Sequence, residues 1–530
     1  MLTLTSMLTR VERVFGHRLG VIDDEGTFTW AEFMDRVRRA ASVLQSMGVK
    51  RGDRFGIISG PSFRQQELLH AGYWMGAIPV PVNFRLSPPE VAYIFDDAGC
   101  SLVAVEAMFA EFLAAEVLQP WADNVLLLAT PADPKDAHPD WPRYEDRLAG
   151  ADPAPIHDAD EDDDALLLYT GGTTGRSKGV RLSHRNIVVN GMQTGMDMRP
   201  RADDVYLHIA PMFHAADLFA MTFTLAGSAH AFLPAFSGEA VLEAFQRHKV
   251  TTTMMTPTMI IMALQEPSFE KYDLSSLRQL FYGSSPMAAE WIKKTLEAFK
   301  GVEVIQGYGL TETSPILTIL PMENHAQALE TGDLEVLRGC GRPVIAVDMK
   351  IRDEDGNEVA PNVPGEITVA APNVSKGYLN RPEETKAAFR DGWFYTGDLA
   401  RMDEHGFVYL LDRKKDMVIT GGENVYTSEV EAALYKHAKI HECAVVGVPD
   451  ETYGEALLAA VVPAPGESLG EEELIAHCRA LIGGYKIPRR YVFLDELPKS
   501  AMNKILKNEL RATYGGEAQQ DKVSRAKADV

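Results

Sequence analysis

The sequence predicts an α/β protein with a large N-terminal domain of mainly parallel sheets flanked by helices, a β-rich subdomain, and a small α+β C-terminal domain. Three observations support this. At 530 residues the chain is too long for one hydrophobic core. Apolar strand patterns alternate with helical patterns before Cys340, as in βαβ units, and short β segments follow. The fully charged run 412–416 marks a domain boundary.

Helical and strand patterns alternate from the N-terminus. The segment 1–54 predicts a helix, a hairpin and a second helix over 31–47, opened by Thr29 or the turn after it. Further strands are predicted at 55–59, 77–82, 101–105, 205–209, 250–255, 279–282 and 302–305, and further helices at 63–73, 88–98, 184–192 and 236–248. Ligands of open α/β sheets bind beyond the carboxyl ends of the strands, so the loops at 211–214, 283–286 and 306–313 are expected to meet in one crevice.

Two segments have unusual compositions. Residues 131–164 are polar, contain several prolines and end in an acidic run, so we interpret them as a solvated linker rather than a metal site. Residues 218–236 carry no Asp, Glu, Lys or Arg and approach the length of a membrane span. Gly227 and Pro234 interrupt them, and we predict a buried short helix and strand instead.

Charge and cysteine content narrow the class of protein. A formal net charge of −23 argues against nucleic acid and anionic membrane surfaces as partners. The four cysteines lack the spacing of a zinc site or a disulfide framework, and a reducing cytoplasm is the expected compartment. Residues 1–13 lack the apolar core of a signal peptide.

The C-terminal third is predicted to be rich in strands. These are expected at 347–352, 365–370, 406–411, 443–448 and 457–462. Ser468 and Glu471 have the spacing of a capping box that would open an amphipathic helix. Residues 515–530 have little to bury and are predicted to form a flexible tail.

The most distinctive stretch is 169–180, Tyr-Thr-Gly-Gly-Thr-Thr-Gly-Arg-Ser-Lys-Gly-Val. Glycines let backbone N–H groups surround an anion, hydroxyls add donors, and Lys178 adds positive charge. The stretch is a candidate phosphate-binding loop, although its lysine is not placed as in a Walker A loop. The alternative is a flexible polar surface turn.

Five further motifs follow in order, at 306–313, 392–398, 412–420, 421–424 and 499–507. Together with the glycine loop they make the chain resemble the adenylate-forming superfamily of acyl-CoA synthetases, firefly-type luciferases and nonribosomal-peptide adenylation domains. The resemblance implies activation of a carboxylate by ATP to an acyl-adenylate and pyrophosphate, followed by transfer of the acyl group to coenzyme A. It also implies an N-terminal AMP- and acyl-binding domain (1–411), a hinge (412–416) and a mobile lid domain (417–514).

The resemblance assigns roles to individual residues. The residues that would grip pyrophosphate are Thr170, Gly171, Gly172, Thr173, Thr174, Gly175 and Lys178. Other nucleotide contacts are implied for Gly283, Ser284, Gln306, Gly307, Tyr308, Gly309 and Thr311, for the ribose-binding pair Asp398 and Arg413, and for Glu312 as the Mg²⁺ ligand. Taken alone, Lys178 could be an exposed tether and Glu312 a surface acid.

Further roles concern catalysis. Lys504 matches the lysine that bridges the attacking carboxylate and the α-phosphate. Lys415 matches the hinge position, and the turn of the lid would bring Gly421, Gly422 and Glu423 beside the thioester-forming centre. His214 matches the residue that gates the acyl pocket, a core histidine being the alternative. The sequence departs from the family pattern at Gly171, Ser177, Thr427 and Asn503, of which Asn503 stands where glycine usually precedes the catalytic lysine.

The matching pocket positions are Phe213, Ala215, Tyr282, Gly307, Pro315 and Ile316, which are mostly apolar or small. Asp217 is expected to face outward, and no cation awaits a second carboxylate. We therefore predict an apolar monocarboxylate, either a medium- to long-chain fatty acid or an aryl acid of the hydroxycinnamate type. Free CoA is the expected thiol, with Lys486 as a candidate phosphate contact. Three other functions stay open as alternatives: an acyl-AMP ligase, a luciferase-like enzyme and a degenerate adenylate-binding sensor. Assembly into a homodimer also stays open.

Overall fold

The computed structural model describes residues 1–130, 132–134, 138–170, 176–285, 287, 289–332, 335–450, 452–499 and 505–515. These residues fall into two compact units. The first lies within Met1–Met287, Trp291–Met349 and Val369–Phe394, and the second within Ala288–Glu290, Lys350–Thr368 and Tyr395–Val530. The domain limits inferred from the motifs stay predictions.

Helices and strands alternate along most of the described chain. The helices are α1 (Leu4–Phe15), α2 (Trp30–Ser46), α3 (Phe63–Met75), α4 (Pro88–Ala98), α5 (Gln119–Ala122), α6 (Tyr144–Ala149), α7 (His184–Met198), α8 (Met221–Ala226), α9 (Gly238–Arg247), α10 (Pro257–Leu264), α11 (Ala289–Ala298), α12 (Met322–Thr331), α13 (Pro382–Ala388), α14 (Thr427–Leu434), α15 (Glu471–Arg479) and α16 (Lys507–Tyr514). Short 3₁₀ helices lie at Ala107–Ala114, Glu116–Leu118, Ala215–Ala220, Phe269–Lys271, Thr311–Thr313, Glu335–Arg338 and Gly484–Lys486.

The strands are β1 (Leu19–Asp23), β2 (Gly26–Thr29), β3 (Arg54–Ile58), β4 (Ile78–Pro81), β5 (Cys100–Glu106), β6 (Val125–Leu128), β7 (Asp164–Thr170), β8 (Lys178–Ser183), β9 (Val205–His208), β10 (Ala229–Phe232), β11 (Thr252–Met255), β12 (Gln279–Gly283), β13 (Glu303–Gly309), β14 (Ile316–Leu320), β15 (Arg342–Pro343), β16 (Asp348–Arg352), β17 (Gly365–Ala370), β18 (Phe389–Arg390), β19 (Trp393–Met402), β20 (Val408–Arg413), β21 (Val418–Thr420), β22 (Glu423–Val425), β23 (Ile440–Asp450), β24 (Gly454–Pro463) and β25 (Arg490–Phe493). Most predicted strands are found within a few residues of their expected positions.

Two sheets rich in parallel strands organise the first unit. The larger has the order β15-β14-β13-β12-β11-β9-β10-β1-β2, in which the strands from β13 to β1 are parallel and the edge strands antiparallel. The smaller sheet, β4-β3-β5-β6, is parallel throughout. β7 and β8 form a separate antiparallel hairpin. This arrangement confirms the predicted α/β fold.

Strands after residue 347 are mainly antiparallel. β20 pairs with β19, and β23 pairs along its length with β24, whereas β25 runs parallel to β24. Val445 and Val461 lie in a buried core beside the helical residues Leu434 and Leu474. This packing of helices on a sheet agrees with the predicted α+β C-terminal region.

Local signals explain where two predicted helices begin. The Thr29 hydroxyl accepts the Glu32 N–H at 3.3 Å, and the Glu32 carboxylate accepts the Thr29 N–H at 2.8 Å. This reciprocal capping box starts α2. The Ser183 hydroxyl accepts the Asn186 N–H at 3.2 Å and caps α7, as predicted.

Two local predictions are wrong. Helix α15 begins at Glu471 with Gly470 as its N-cap, so Glu471 is not in the third helical position that a capping box with Ser468 requires. The segment 138–164 is not merely a solvated linker, because it contains α6. There Tyr144 is fully buried and donates to the Glu67 carboxylate at 2.8 Å, which anchors the segment to α3.

The uncharged segment 218–236 is a core segment, as predicted. It forms the end of a 3₁₀ helix, then α8 and β10, and Phe223, Ala231 and Phe232 are buried. Among the residues that the structure describes, no helix combines the length and apolarity that crossing a bilayer requires.

Candidate active site

Glycines lie where β12 and β13 reach the carboxyl edge of the larger sheet. Gly283 lies opposite Gly307 in the parallel register. A Cβ atom on Gly283 would lie 2.4 Å from the Gly307 carbonyl oxygen, and one on Gly309 would lie 1.7 Å from the Pro315 carbonyl oxygen. The structure thus brings these predicted residues together, in a packing that excludes any side chain at positions 283 and 309.

Polar side chains flank these glycines. Gln306 lies opposite Tyr282, and its buried Oε1 has no hydrogen-bond partner among the described residues. Tyr308 lies opposite Thr318 on β14. Ser284 follows β12 with φ of +69°, which is uncommon for a residue other than glycine. The strand ends therefore carry amide, phenol and hydroxyl groups beside tightly packed glycine backbone.

Lys178, Tyr378 and Glu312 converge in the first unit. The Lys178 Nζ lies 5.0 Å from the centroid of the Tyr378 ring, within range of a cation–π interaction. The Tyr378 hydroxyl donates to Glu312 Oε1 at 2.8 Å. Burial and then the Glu312 carboxylate raise the pKa of Tyr378, so its hydroxyl stays protonated and keeps donating. One tyrosine therefore connects a positive and a negative group.

Backbone pairing explains this convergence. Thr170 lies opposite Lys178 in the β7–β8 hairpin. Residues 376–379 run along β8 with backbone hydrogen bonds of 2.8 to 3.1 Å. The Ser375 N–H donates to the Glu312 carbonyl oxygen at 2.7 Å. The same short segment therefore carries Tyr378 to Lys178 and holds the backbone of Glu312.

The predicted phosphate loop connects β7 to β8. Gly171, Gly172, Thr173, Thr174 and Gly175 lie outside the described residues. On one flank the Tyr93 hydroxyl donates to the Ser177 carbonyl oxygen at 3.0 Å, and on the other the Tyr169 hydroxyl donates to Asp97 at 2.8 Å. Tyr93 and Asp97 both lie on α4, which therefore anchors both flanks of the loop.

His214 lies at the start of the 3₁₀ helix Ala215–Ala220. Its Nδ1 accepts the Ala216 N–H at 3.1 Å, so the proton of the neutral ring is on Nε2. Phe213 and Ala215, on either side in the sequence, are buried. The Phe213 ring meets the Phe84 ring edge-on, with centroids 5.4 Å apart. The imidazole is therefore fixed in an apolar part of the chain.

Two asparagines that the motifs did not indicate hold the neighbouring pocket segment. Asn190 donates to the Ile316 carbonyl oxygen at 2.8 Å and accepts the Ile316 N–H at 3.1 Å. Asn373 donates to the Thr313 carbonyl oxygen at 2.6 Å. These bonds fix the backbone on both sides of Pro315.

Tyr282 is held by a histidine that was also missed. The Tyr282 hydroxyl lies 3.0 Å from His325 Nε2, and His325 Nδ1 lies 3.0 Å from the Pro321 carbonyl oxygen. A carbonyl can only accept, so Nδ1 carries the proton and Nε2 accepts from Tyr282. Burial lowers the pKa of His325 from 6.5 to about 4, which keeps the ring neutral at pH 7.

This buried histidine predicts a loss of stability in acid. The unfolded chain protonates His325 at its ordinary pKa of 6.5 and the folded chain only at about 4, so the unfolded state binds more protons between these values. Folding stability should therefore fall as the pH drops from 7 to 5, by about 2 kcal/mol from this residue. Urea unfolding midpoints of the wild type and His325→Gln measure the effect. The variant, which can still accept from Tyr282, should show the shallower decline, and equal slopes would contradict the assignment.

The predicted ribose-binding pair lies in the second unit. Arg413 Nε lies 2.9 Å from Asp398 Oδ1, because the two residues are opposite each other on β20 and β19. Lys415 follows in the turn after β20. Partial burial, and then the cations of Arg413 and Arg511, lower the pKa of Lys415 against the opposing effect of Asp416.

Gly421 and Gly422 form the two-residue turn between β21 and β22. Their φ values of +60° and +86° are typical of a type I′ turn, which favours glycine. Glu423 follows on β22 and is exposed. Lys486 Nζ lies 2.7 Å from both carboxylate oxygens of Glu429, and its contact with a CoA phosphate stays a prediction. Lys504 lies outside the described residues.

Asp217 corrects one sequence interpretation. It was expected to face outward, but only 7% of it is exposed, and its Oδ1 lies 2.6 Å from His208 Nδ1. The carboxylate is therefore paired within the core. The apolar sequence around position 217 gave no indication of a histidine partner on β9.

Two family models match the chain. The model of AMP-binding enzymes matches residues 8–379, and the model of the AMP-binding enzyme C-terminal domain matches residues 429–504. The protein is therefore an adenylate-forming enzyme, the class that its motifs predicted. It belongs to the AMP-binding enzyme family.

Individual relatives are similar over nearly the whole chain. A feruloyl-CoA synthase from Amycolatopsis sp is 37% identical over 514 residues, or 97% of this chain and 99% of the relative. A long-chain-fatty-acid–CoA ligase from Bacillus subtilis (strain 168) is 34% identical, over 96% of this chain and 94% of the relative. The crystal structure of ATP-bound MatB from Rhodopseudomonas palustris has a TM-score of 0.86 at 33% identity, over 96% of this chain and 99% of that chain. These findings confirm the predicted fold and reaction class, an AMP-forming acid–thiol ligase.

Proposed function

We propose that this enzyme joins an apolar monocarboxylic acid to coenzyme A, through an acyl-adenylate formed from ATP. The observation that carries the proposal is the convergence of Lys178, Tyr378 and Glu312 in the unit that also holds the apolar pocket residues. A lysine suits the phosphates of ATP, and a carboxylate suits their metal ion. The similarity to a feruloyl-CoA synthase and a long-chain-fatty-acid–CoA ligase supports both classes of acid that the sequence predicted.

The donor set fits a nucleotide with its magnesium ion. Positions 283, 307 and 309 lack side chains where the strands end, because neighbouring protein atoms fill the space of a Cβ atom, and we assign the backbone of this strand edge to the adenine and α-phosphate. Magnesium commonly takes one or two protein carboxylates and completes its shell with phosphate oxygens and water, so Glu312 suffices as the protein ligand. When bound, the ion would neutralise charge on the departing pyrophosphate. Tyr378 would hold the Glu312 carboxylate in place through its hydroxyl.

The acyl group would lie beside Phe213, His214 and Ala215. These residues offer apolar surface and a single neutral imidazole, which suits an acid with one carboxylate and an apolar body. The attacking carboxylate and the α-phosphate are both negative, so adenylation needs a cation at their junction. We assign this role to Lys504, with Thr170, Thr173, Thr174 and Lys178 binding the pyrophosphate.

A panel of acids tests the proposed function. Pyrophosphate–ATP exchange should depend on an apolar acid, with fatty acids of graded length and hydroxycinnamates as the two arms of the panel. Adding CoA should yield the acyl-CoA together with AMP. Exchange without thioester formation would indicate an acyl-AMP ligase, and no acid-dependent exchange with any acid would contradict the proposal.

A further inference from the structure

Four buried polar residues of the first unit, on both sides of the candidate gating histidine in the sequence, form a continuous series of hydrogen-bond contacts. They are Asp217, His208, His230 and Thr224, each at most 7% exposed. Asp217 Oδ1 lies 2.6 Å from His208 Nδ1, and His208 Nε2 lies 2.9 Å from His230 Nδ1. His230 Nε2 lies 3.1 Å from Thr224 Oγ1. We call these residues the Asp–His–His–Thr chain, and no predicted motif contains them.

The Asp–His–His–Thr chain connects the larger sheet to two helices of the first unit. His208 ends β9, and His230 lies on the adjacent parallel strand β10. Asp217 lies on the 3₁₀ helix Ala215–Ala220, and Thr224 lies on α8. The segment after position 214 is therefore attached to the sheet at both of its helices.

Because these contacts are buried, the loss of one partner would leave a desolvated polar group without a hydrogen bond. A carboxylate that loses its partner in the core keeps the full cost of its desolvation, so Asp217 depends on His208. His230 is neutral, since burial and the neighbouring His208 hold its pKa well below the ordinary value. The Thr224 hydroxyl also lies 3.3 Å from the Ala220 carbonyl oxygen and so joins the chain to the end of the 3₁₀ helix.

We propose that the Asp–His–His–Thr chain positions the acyl pocket by holding the 3₁₀ helix Ala215–Ala220 at a fixed place on the sheet. The inference rests on the proposed function, because it takes Phe213, His214 and Ala215 to border the acyl group. His214 accepts a hydrogen bond from this helix, so its imidazole moves when the helix moves. The residues proposed to bind the nucleotide, at 283 and 307–309, lie on β12 and β13 instead. Disrupting the Asp–His–His–Thr chain should therefore raise the KM for the acid and leave the KM for ATP nearly unchanged.

Two substitutions of Asp217 test the proposal. Asp217→Leu removes the acceptor for His208, and it should raise the KM for the acid about tenfold in pyrophosphate–ATP exchange, since small displacements near reacting groups are costly. The KM for ATP should stay within about twofold. Asp217→Asn keeps an oxygen acceptor in the same shape, and its KM for the acid should return to within about threefold of the wild type.

Thr222→Val is the matched control. Thr222 lies on α8 with Thr224, is equally buried, and its hydroxyl has no partner among the described residues, so valine should change neither KM. If Asp217→Leu does not fold, Thr224→Val replaces it, with an expected rise of about threefold in the KM for the acid alone. Equal increases in both KM values, or wild-type values for the disrupted variants, would overturn the positioning role. Failure of the proposed function is distinct, because the wild type itself would then show no acid-dependent exchange.

Discussion

Lys504→Ala should lower acid-dependent pyrophosphate–ATP exchange by about 10²- to 10³-fold, the loss expected when one group that stabilises transition-state charge is removed. The residue matches the lysine that meets the carboxylate–phosphate junction in the superfamily, where negative charge is concentrated during adenylation. Conversion of supplied acyl-AMP and CoA to acyl-CoA should be spared, because the carboxylate of that substrate is already joined to the α-phosphate and the junction assigned to Lys504 no longer has to form. Assaying the two half-reactions separately measures the difference.

Lys499→Ala is the control for this prediction. Lys499 belongs to the same motif, but its Nζ already lies 2.6 Å from Glu442. Its loss should therefore leave exchange within about threefold of the wild type, as expected for a partly exposed ion pair. Equal losses of both half-reactions in Lys504→Ala would contradict its assignment to adenylation.

Glu312→Gln should lower the exchange rate by about 10²-fold and shift its magnesium dependence to higher concentration. The amide has nearly the shape of the carboxylate and can still accept from Tyr378, so the change isolates the negative charge. Magnesium titrations of the exchange reaction measure the shift.

Tyr378→Phe is the matched control for Glu312. It keeps the ring that lies against the Lys178 ammonium and removes only the hydroxyl that donates to Glu312. We expect a decrease of no more than about tenfold, with little change in magnesium dependence. A Glu312→Gln enzyme with wild-type magnesium dependence would contradict the role of Glu312 as a metal ligand.

Local sequence patterns predicted most of the fold. Helix α4 was predicted at 88–98 and is found at Pro88–Ala98, because proline stands at its first position and Gly99 ends it with φ of +64°. The parallel sheets followed from alternating strand and helix patterns. Helix α6 was missed because the surrounding sequence is polar, whereas the burial of Tyr144, Leu148 and Ala154 shows that the segment is packed.

The candidate site was predictable only where its residues stand in motifs. Lys178 and Glu312 were found, but Tyr378, which connects them, lies in no motif and reaches them through long-range pairing of 376–379 with β8. His325 and the Asp–His–His–Thr chain were missed for the same reason. Each depends on which side chains of neighbouring elements face one another in the fold, and a single sequence contains no signal for such pairs. The roles assigned to the motif residues stay predictions until the variants are measured.

The three glycines at the edge of the larger sheet limit how this enzyme can change. At positions 283 and 309 a methyl group would collide with a carbonyl oxygen, and at 307 it would strike the Phe281 ring. Mutation therefore has almost no freedom to introduce a side chain at these positions. An adenine placed there would meet peptide atoms that every variant retains, so divergence between relatives should be concentrated at the acid-binding residues, where one side chain can replace another.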